Sequence, residues 1–252
     1  MPEKTTRKRA TWSQFIPDDE WACYQSAIEV VRQANAKFLI GGAFGLAVYT
    51  GRWRNTKDLD LVILPRDLDA IIHALTESGF KDYYEQVPYD RGWIYRSTRD
   101  GFIVDVIFAM ANRRAEVDEE WFERAPTISI RNEKLLVVPP EELLWHKLYV
   151  LQRERCDWPD IMNLLYENGP TLDWEHLLRR LGNDAQLLQA VLLVFDWICP
   201  QVSHEFPEWL RQRLHLPPSQ ADENVDWKKN ISLLDSRQWF AGLEPDKKKL
   251  EN

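Results

Sequence analysis

The sequence predicts an α+β fold, in which a mixed β-sheet flanked by helices is followed by an all-helical C-terminal domain. Two observations predict it. Up to residue 139, short apolar strands alternate with amphipathic helices, whereas after Pro139-Pro140 the apolar residues recur at helical spacing. We therefore expect a flexible basic tail at 1–11, an α/β domain at 12–139 and a helical domain at 140–252.

The composition is that of a folded protein and limits its partners. Of 252 residues, 44% are hydrophobic and 29% are charged, which is ordinary for globular chains. No apolar stretch approaches the roughly 18 residues of a membrane span, so we expect a cytoplasmic protein without a membrane partner. Because the formal net charge is −8, a local site would have to hold any polyanion. Cys23, Cys156 and Cys199 are widely separated, which indicates neither a disulfide framework nor a zinc site.

Each element of the first domain has its own local signal. An acidic first turn begins the first helix, and Gly51 and Gly79 follow the next two helices as stops. The turn Asp100-Gly101 precedes the clearest strand. The predicted helices are Asp18–Ala36, Ala43–Tyr49 and Arg66–Ser78, and the predicted strands are Lys37–Ile40, Asp58–Leu64, Tyr83–Val87 paired with Trp93–Ser97, Phe102–Phe108, and a hairpin of Thr127–Ile130 with Leu135–Val138.

The second domain is predicted to contain helices alone. Gly169-Pro170 is a helix stop, residues 217–230 form a polar connector, and residues 233–240 look like a docked C-terminal strap. The predicted helices are Glu141–Arg153, Trp158–Asn168, Trp174–Leu181, Ala185–Ile198 and Pro207–Leu214.

Two carboxylates stand at the start of a predicted strand. Asp58 and Asp60 are separated by Leu59, so both side chains leave the same face. Two residues rise about 6.6 Å along a strand, a span that two oxygens and a small cation can bridge. Two carboxylates at a buried edge repel each other and need a compensating charge. Mg²⁺ supplies it, because it prefers oxygen ligands and keeps open positions for phosphate oxygens.

A third carboxylate has a similar setting. Asp105 is the single polar residue of the apolar strand Phe102–Phe108, and a buried strand rarely holds a lone charge without a partner. Placed beside the first strand, it would complete a cage for two cations about 3.5–4 Å apart. The alternative is that Asp58 and Asp60 cap a strand and Asp105 pairs with an arginine.

A glycine turn and a basic loop precede the paired carboxylates. Gly41 and Gly42 lie at a predicted strand-to-helix turn, where glycine lets the backbone approach an anion and the helix adds its positive end. The loop is either solvated or in contact with phosphate. Its polar residues are Arg52, Arg54, Thr56 and Lys57.

Together these motifs resemble the signature of the DNA polymerase β-like nucleotidyltransferase superfamily. The resemblance rests on Gly41-Gly42, Thr56-Lys57-Asp58-Leu59-Asp60 and Asp105, and it covers residues 37–168. It is greatest to the minimal bacterial group that includes antibiotic nucleotidyltransferases and AbiEii-type nucleotidyltransferase toxins. Many members have Gly-Ser where this chain has Gly41-Gly42, so backbone N–H groups would replace the hydroxyl. The resemblance implies the nucleotidyltransferase fold, two Mg²⁺ ions (or Mn²⁺) on Asp58, Asp60 and Asp105, and a nucleotide on Gly41, Gly42, Arg54, Thr56 and Lys57.

A second group of residues lies in the helical domain. Lys147, followed by Arg153, Arg155, Asp157 and Asp160, resembles the lysine and the later R-x-(K/R)-D-x-x-D segment of the toxin group. The resemblance implies that Lys147 and Asp157 also bind the nucleotide. Cys156 stands where that group often has a basic residue. Asp157 is equally well explained as a helix N-cap, since Pro159 and Asp160 follow it in the first turn.

The resulting hypothesis is a metal-dependent nucleotidyltransferase that moves a nucleoside monophosphate from a nucleoside triphosphate to a hydroxyl acceptor and releases pyrophosphate. The acceptor is either a small antibiotic-like molecule or RNA, and the acidic balance favours the small molecule. The alternative is a non-catalytic binding or regulatory module on the same fold. The sequence does not determine the oligomeric state.

Overall fold

A computed structural model describes residues 12–54, 56–218 and 227–234 of the chain. The chain divides into two compact units, Met1–Leu143 and Leu144–Asn252, and the division falls within the helix Pro140–Leu148. The predicted tail at 1–11 lies outside the described residues.

The first unit is built on a five-stranded mixed sheet, as predicted. The central strands, β2 (Asp58–Ile63) and β5 (Phe102–Ile107), are parallel, and the other neighbouring strands are antiparallel. Residues that alternate along β2 face opposite sides, and Leu59 and Leu61 belong to the buried core. In spatial order the strands are β1 (Phe38–Ile40), β2 (Asp58–Ile63), β5 (Phe102–Ile107), β4 (Ile94–Arg99) and β3 (Lys81–Asp82).

Helices cover this sheet with their apolar residues. The first helix buries Tyr24, Ala27, Ile28 and Val31, which recur at the three-and-four spacing of one helical face. The second helix is apolar on all sides and almost wholly buried, and it ends at Gly51 in the left-handed conformation, as predicted. The helices of this unit are α1 (Asp18–Gln33), α2 (Gly42–Thr50), α3 (Leu68–Glu77) and α4 (Glu119–Glu123). A hairpin of β6 (Thr127–Ile130) and β7 (Glu133–Leu136) follows α4 in the chain, and α5 (Pro140–Leu148) then spans the division between the units.

Two predictions about the first 150 residues were wrong in detail. Tyr83–Val87 is not a strand, because the Asp82 side chain accepts a hydrogen bond from the Tyr84 N–H and caps a 3-10 turn at Tyr83–Glu85. The shorter β3 pairs with β4 instead. The helix predicted to continue to Arg153 ends at Leu148.

The regular elements in the described part of the second unit are helices, as predicted, apart from an isolated β-bridge between Leu151 and Cys156. The ring centroid of Phe206 lies 5.5 Å from that of Phe195, on which it stacks, and 5.4 Å from that of Trp174. These three aromatic side chains form part of the core of the second unit. The predicted connector at 217–230 contains the start of a helix, and residues 235–240 of the predicted strap lie outside the described residues. The helices are α6 (Trp158–Asn168), α7 (Trp174–Leu181), α8 (Ala185–Ile198), α9 (Pro200–Ser203), α10 (Glu208–Arg213) and α11 (Trp227–Leu234).

No helix in the described ranges is both long enough and apolar enough to cross a membrane.

Candidate active site

The sheet brings the three predicted carboxylates together. In the parallel pairing of β2 with β5, Asp60 lies directly opposite Asp105, and Asp58 lies opposite Ile103. Asp58 shares the face of Asp60 because side chains alternate along a strand, and register partners point to the same side of a sheet. The expected juxtaposition of Asp105 with the first strand is therefore confirmed as geometry.

An arginine that the sequence analysis did not single out is bound to these carboxylates. Arg96 on β4 is the register partner of Asp105. Its Nε donates to Asp105 Oδ1 at 2.7 Å, and its terminal nitrogen donates to Oδ2 at 2.6 Å. The same nitrogen lies 3.8 Å from Asp58 Oδ2. The alternative in which Asp105 pairs with an arginine therefore describes this structure.

Burial and charge act in opposite directions on this pair. The Asp105 side chain is 3% exposed, so desolvation raises its pKa, whereas the bond from Arg96 lowers it and the charge of Asp58 raises it further. The pKa of Asp105 stays above its ordinary value. Hydrogen bonding to Asp105 and the nearby carboxylates of Asp58 and Asp60 raise the pKa of Arg96, although burial opposes this, and its positive charge is fixed at the site.

The pairing of Asp105 with Arg96 could have been predicted from the turn at Asp100-Gly101. In a hairpin with a two-residue turn at Asp100-Gly101, residues that are equally far from the turn in sequence pair with each other. Asp100 and Gly101 both have positive φ, as that turn requires, and Arg96 then falls opposite Asp105.

The glycine turn lies against the second carboxylate. The Gly41 N–H donates to the carbonyl of Asp60 at 3.0 Å. Gly42 has φ of +51°, and a Cβ at this residue would lie 1.6 Å from Asp60 Oδ2. A serine at residue 42 would therefore need the space that the Asp60 carboxylate fills.

The loop before β2 is anchored by an aromatic cluster. Trp53 stacks on Trp12 with 5.4 Å between ring centroids and meets Phe44 edge-on at 5.2 Å. At the end of this loop, the Thr56 hydroxyl donates to Asp58 Oδ1 at 2.5 Å and orients that carboxylate. Arg54 and Lys57, the predicted phosphate contacts, are exposed.

A buried acid on α1 was also missed by the sequence analysis. Glu20 is 6% exposed, and neither its Oε1 nor the Tyr24 hydroxyl has a hydrogen-bond partner of good geometry. Desolvation raises the pKa of Glu20, the nearby Tyr24 lowers it, and the charges of Asp19 and Asp58 raise it further. Burial is therefore the main reason that the pKa of Glu20 lies above its ordinary value.

The predicted second group forms a buried ion cluster within the second unit. The Lys147 ammonium donates to Asp157 Oδ2 at 2.8 Å and to Asp160 Oδ2 at 2.7 Å, and the Lys147 side chain is 2% exposed. Arg155 donates twice to Asp157, at 3.0 and 3.1 Å. Burial opposes ionisation of Asp157, but the contacts from Arg155 and Lys147 hold its pKa well below the usual range.

This cluster gives the second group a structural role. Asp157 occupies the N-cap position of α6, yet its side chain makes no capping bond because the ion cluster uses it. Asp160 likewise faces Lys147. Arg153 and Cys156 are exposed. Binding of the nucleotide by Lys147 and Asp157 stays a prediction.

The donor set matches a hard cation, although its arrangement is incomplete. The carboxylate oxygens of Asp58 and Asp60 are ligands of the type that Mg²⁺ prefers. Both oxygens of Asp105 are engaged by Arg96. Within the part of the chain that the structure describes, no three His, Cys, Asp or Glu side chains are arranged to hold a metal ion.

The fold, with its paired aspartates beside a glycine turn, defines a nucleotidyltransferase class. A family model described as an uncharacterised nucleotidyltransferase matches residues 41–198, which is more than half of the chain. The chain belongs to this nucleotidyltransferase family. The match includes the glycine turn, both carboxylate strands and the ion cluster of the second unit. Among curated proteins, no match was found.

Three solved structures are reported as similar to this chain. The antibiotic-resistance factor ANT(2'')-Ia is 15% identical, with 69% of this chain and 95% of that chain covered and a TM-score of 0.49. The lincosamide antibiotic adenylyltransferase LnuA is 17% identical, with coverages of 59% and 96% and a TM-score of 0.42. An antigenic nucleotidyltransferase-like protein from Paracoccidioides brasiliensis is 21% identical, with coverages of 68% and 91% and a TM-score of 0.39.

Proposed function

We propose that this nucleotidyltransferase moves a nucleoside monophosphate from a nucleoside triphosphate to a hydroxyl acceptor, that it depends on a divalent cation and that pyrophosphate leaves. The observation that carries the proposal is the register of β2 with β5, which sets Asp60 opposite Asp105 on the face that Asp58 shares. The glycine turn at Gly41 and Gly42 adjoins the same carboxylates.

In the proposed reaction, the acceptor oxygen attacks the α-phosphorus and forms a new phosphorus–oxygen bond. The bond from the α-phosphorus to the bridging oxygen breaks, and its electron pair leaves with pyrophosphate. The hydroxyl proton passes to a carboxylate oxygen of the site and then to water. Positioning and charge neutralisation would supply most of the rate.

Different residues of the chain would bind the cation, orient its ligands and contact the phosphates. Asp58 and Asp60 would hold Mg²⁺, which when bound neutralises phosphate charge and polarises the α-phosphate. Thr56 fixes one oxygen of Asp58 and so limits the positions its carboxylate can take. The backbone of the turn and the N-terminus of α2 would face the phosphates, with Arg54 and Lys57 as exposed cations nearby.

We propose a small hydroxyl-bearing molecule as the acceptor. The net charge of −8 gives a polyanionic RNA no bulk attraction, whereas a small neutral or cationic molecule meets no such penalty.

Transfer of label tests this proposal. The protein is incubated with Mg²⁺ and each of the four α-labelled nucleoside triphosphates, with aminoglycosides, lincosamides or total RNA as acceptors. We expect label on a small acceptor and loss of transfer in Asp60→Asn and Asp105→Asn. Asp100→Asn is the matched control, because Asp100 is an exposed turn residue on the hairpin that carries Asp105, and Asn tolerates its positive φ.

Other outcomes assign the site differently. Label on RNA alone would replace the small acceptor with a macromolecular one. Metal-dependent nucleotide binding without transfer to any acceptor would favour the non-catalytic module. Full activity in Asp60→Asn would remove the carboxylates from the mechanism.

A further inference from the structure

The arginine at the centre of the carboxylates bears on how many cations this site can take. The guanidinium of Arg96 bonds both oxygens of Asp105 and lies 3.8 Å from Asp58 Oδ2. It therefore occupies the space between the third carboxylate and the first, where a second cation of a three-carboxylate cage would have to bind.

The backbone of Arg96 is part of the sheet. Its backbone N–H donates to the Tyr89 hydroxyl at 2.9 Å, and its strand pairs with β5 along the full length of that strand. The ring of Tyr83 lies 5.8 Å from its guanidinium carbon, within the range of a cation–π contact. The backbone contacts hold the strand, and the two bonds to Asp105 with the ring of Tyr83 hold the guanidinium beside the carboxylates.

The balance of charge favours a single divalent cation. Arg96 bonds the buried carboxylate of Asp105 and lies near that of Asp58, so a fixed positive charge already stands among the carboxylates. In the proposed function, Asp58 and Asp60 are the ligands of one divalent ion. A second ion on the oxygens of Asp105 would lie beside a fixed guanidinium, and like charges at such distances repel strongly in a partly buried site.

We propose that Arg96 takes the place of a second metal ion, so that the site binds one divalent cation through Asp58 and Asp60. This inference rests on the proposed metal dependence and replaces the two ions that the family resemblance implies. It assigns Asp105 the role of holding Arg96 in position rather than that of a metal ligand.

Counting bound Mn²⁺ tests the inference without using activity. Mn²⁺ is titrated into the protein with a saturating non-hydrolysable α,β-methylene nucleotide, and free Mn²⁺ is followed by electron paramagnetic resonance. We expect one Mn²⁺ per protein-bound nucleotide in the wild type and in Arg96→Lys, which keeps the charge. Arg96→Gln frees both oxygens of Asp105, so we expect two.

Two further variants keep the test decisive. Arg99→Gln is the matched control: Arg99 lies on the same strand but contacts Phe80 and the carbonyl of Ser78, so the count should stay at one. In Asp105→Asn the count should also stay at one, because this residue is not a metal ligand in the proposal. That variant does not depend on the folding of Arg96→Gln.

The outcomes separate this inference from the proposed function. Two Mn²⁺ in the wild type, or loss of one ion in Asp105→Asn, overturns the role of Arg96 and leaves metal dependence intact. A count that stays at one in folded Arg96→Gln also overturns it. Failure of the wild type to bind any Mn²⁺ beyond that of free nucleotide overturns the metal dependence itself.

Discussion

Replacing Gly42 by alanine should inactivate the protein through a single methyl group. The added Cβ would lie 1.6 Å from Asp60 Oδ2 and 2.5 Å from its Cγ, whereas real contacts of this kind begin near 3.0 Å. The carboxylate must therefore move by more than 1 Å. Because a displacement of about 1 Å in a reacting site can cost roughly 10²-fold in rate, we expect transfer to fall by at least about 10²-fold.

The chain contains a matched control for the backbone strain of this substitution. Gly51 also has positive φ, at +66°, but a Cβ there meets nothing within 4 Å. Both alanine variants should lose about 1–2 kcal/mol of stability, the cost of the left-handed conformation for a residue with a side chain. Only Gly42→Ala should also lose transfer activity and Mn²⁺ binding. Equal activity of the two variants, measured at a temperature where both are folded, would refute the close approach of Asp60 to the turn.

Two further predictions concern stability. Lys147→Met removes the buried ammonium that contacts Asp157 and Asp160 and leaves Arg155 on Asp157, which should cost about 3–5 kcal/mol in urea unfolding, whereas Lys229→Met, at an exposed position, should change stability by less than about 0.5 kcal/mol. A loss below about 1 kcal/mol in Lys147→Met would contradict the buried cluster. Glu20 has a raised pKa, so the stability it contributes is complete below its unfolded pKa, near 4.5, and is lost as the pH rises. Glu20→Gln should therefore melt higher than wild type at pH 8 and lose this advantage towards pH 4, unlike the exposed Glu29→Gln; a pH-independent difference would argue against burial of the charge.

The central strands could be predicted because their signals are local. Alternation around Asp58 and Asp60 and the apolar run around Asp105 identify β2 and β5, and both bounds agree to within one residue. Their parallel pairing depends on the whole connection between them, and no local pattern predicts it. The turn Asp100-Gly101 predicts the two strands of its hairpin. That Arg96 lies opposite Asp105 is found only when the residues are counted outward from the turn.

The missed features have physical reasons. The helices α4 and α9 have five and four residues, which is too short for a helical period to show in sequence. The core position of Glu20 is set by how α1 packs, and an acidic residue in a first turn ordinarily indicates a solvated helix start. The ion cluster around Lys147 joins residues from two segments whose approach no local pattern encodes.

The parallel register of β2 and β5 also has a consequence for assembly of the protein. Asp60 and Asp105 come from distant parts of the chain, so neither strand alone contains the cluster, and long-range pairings of this kind form late and slowly. A refolding chain can regain helical circular dichroism well before these two strands meet. Recovery of cation binding would then report the time at which these two strands pair.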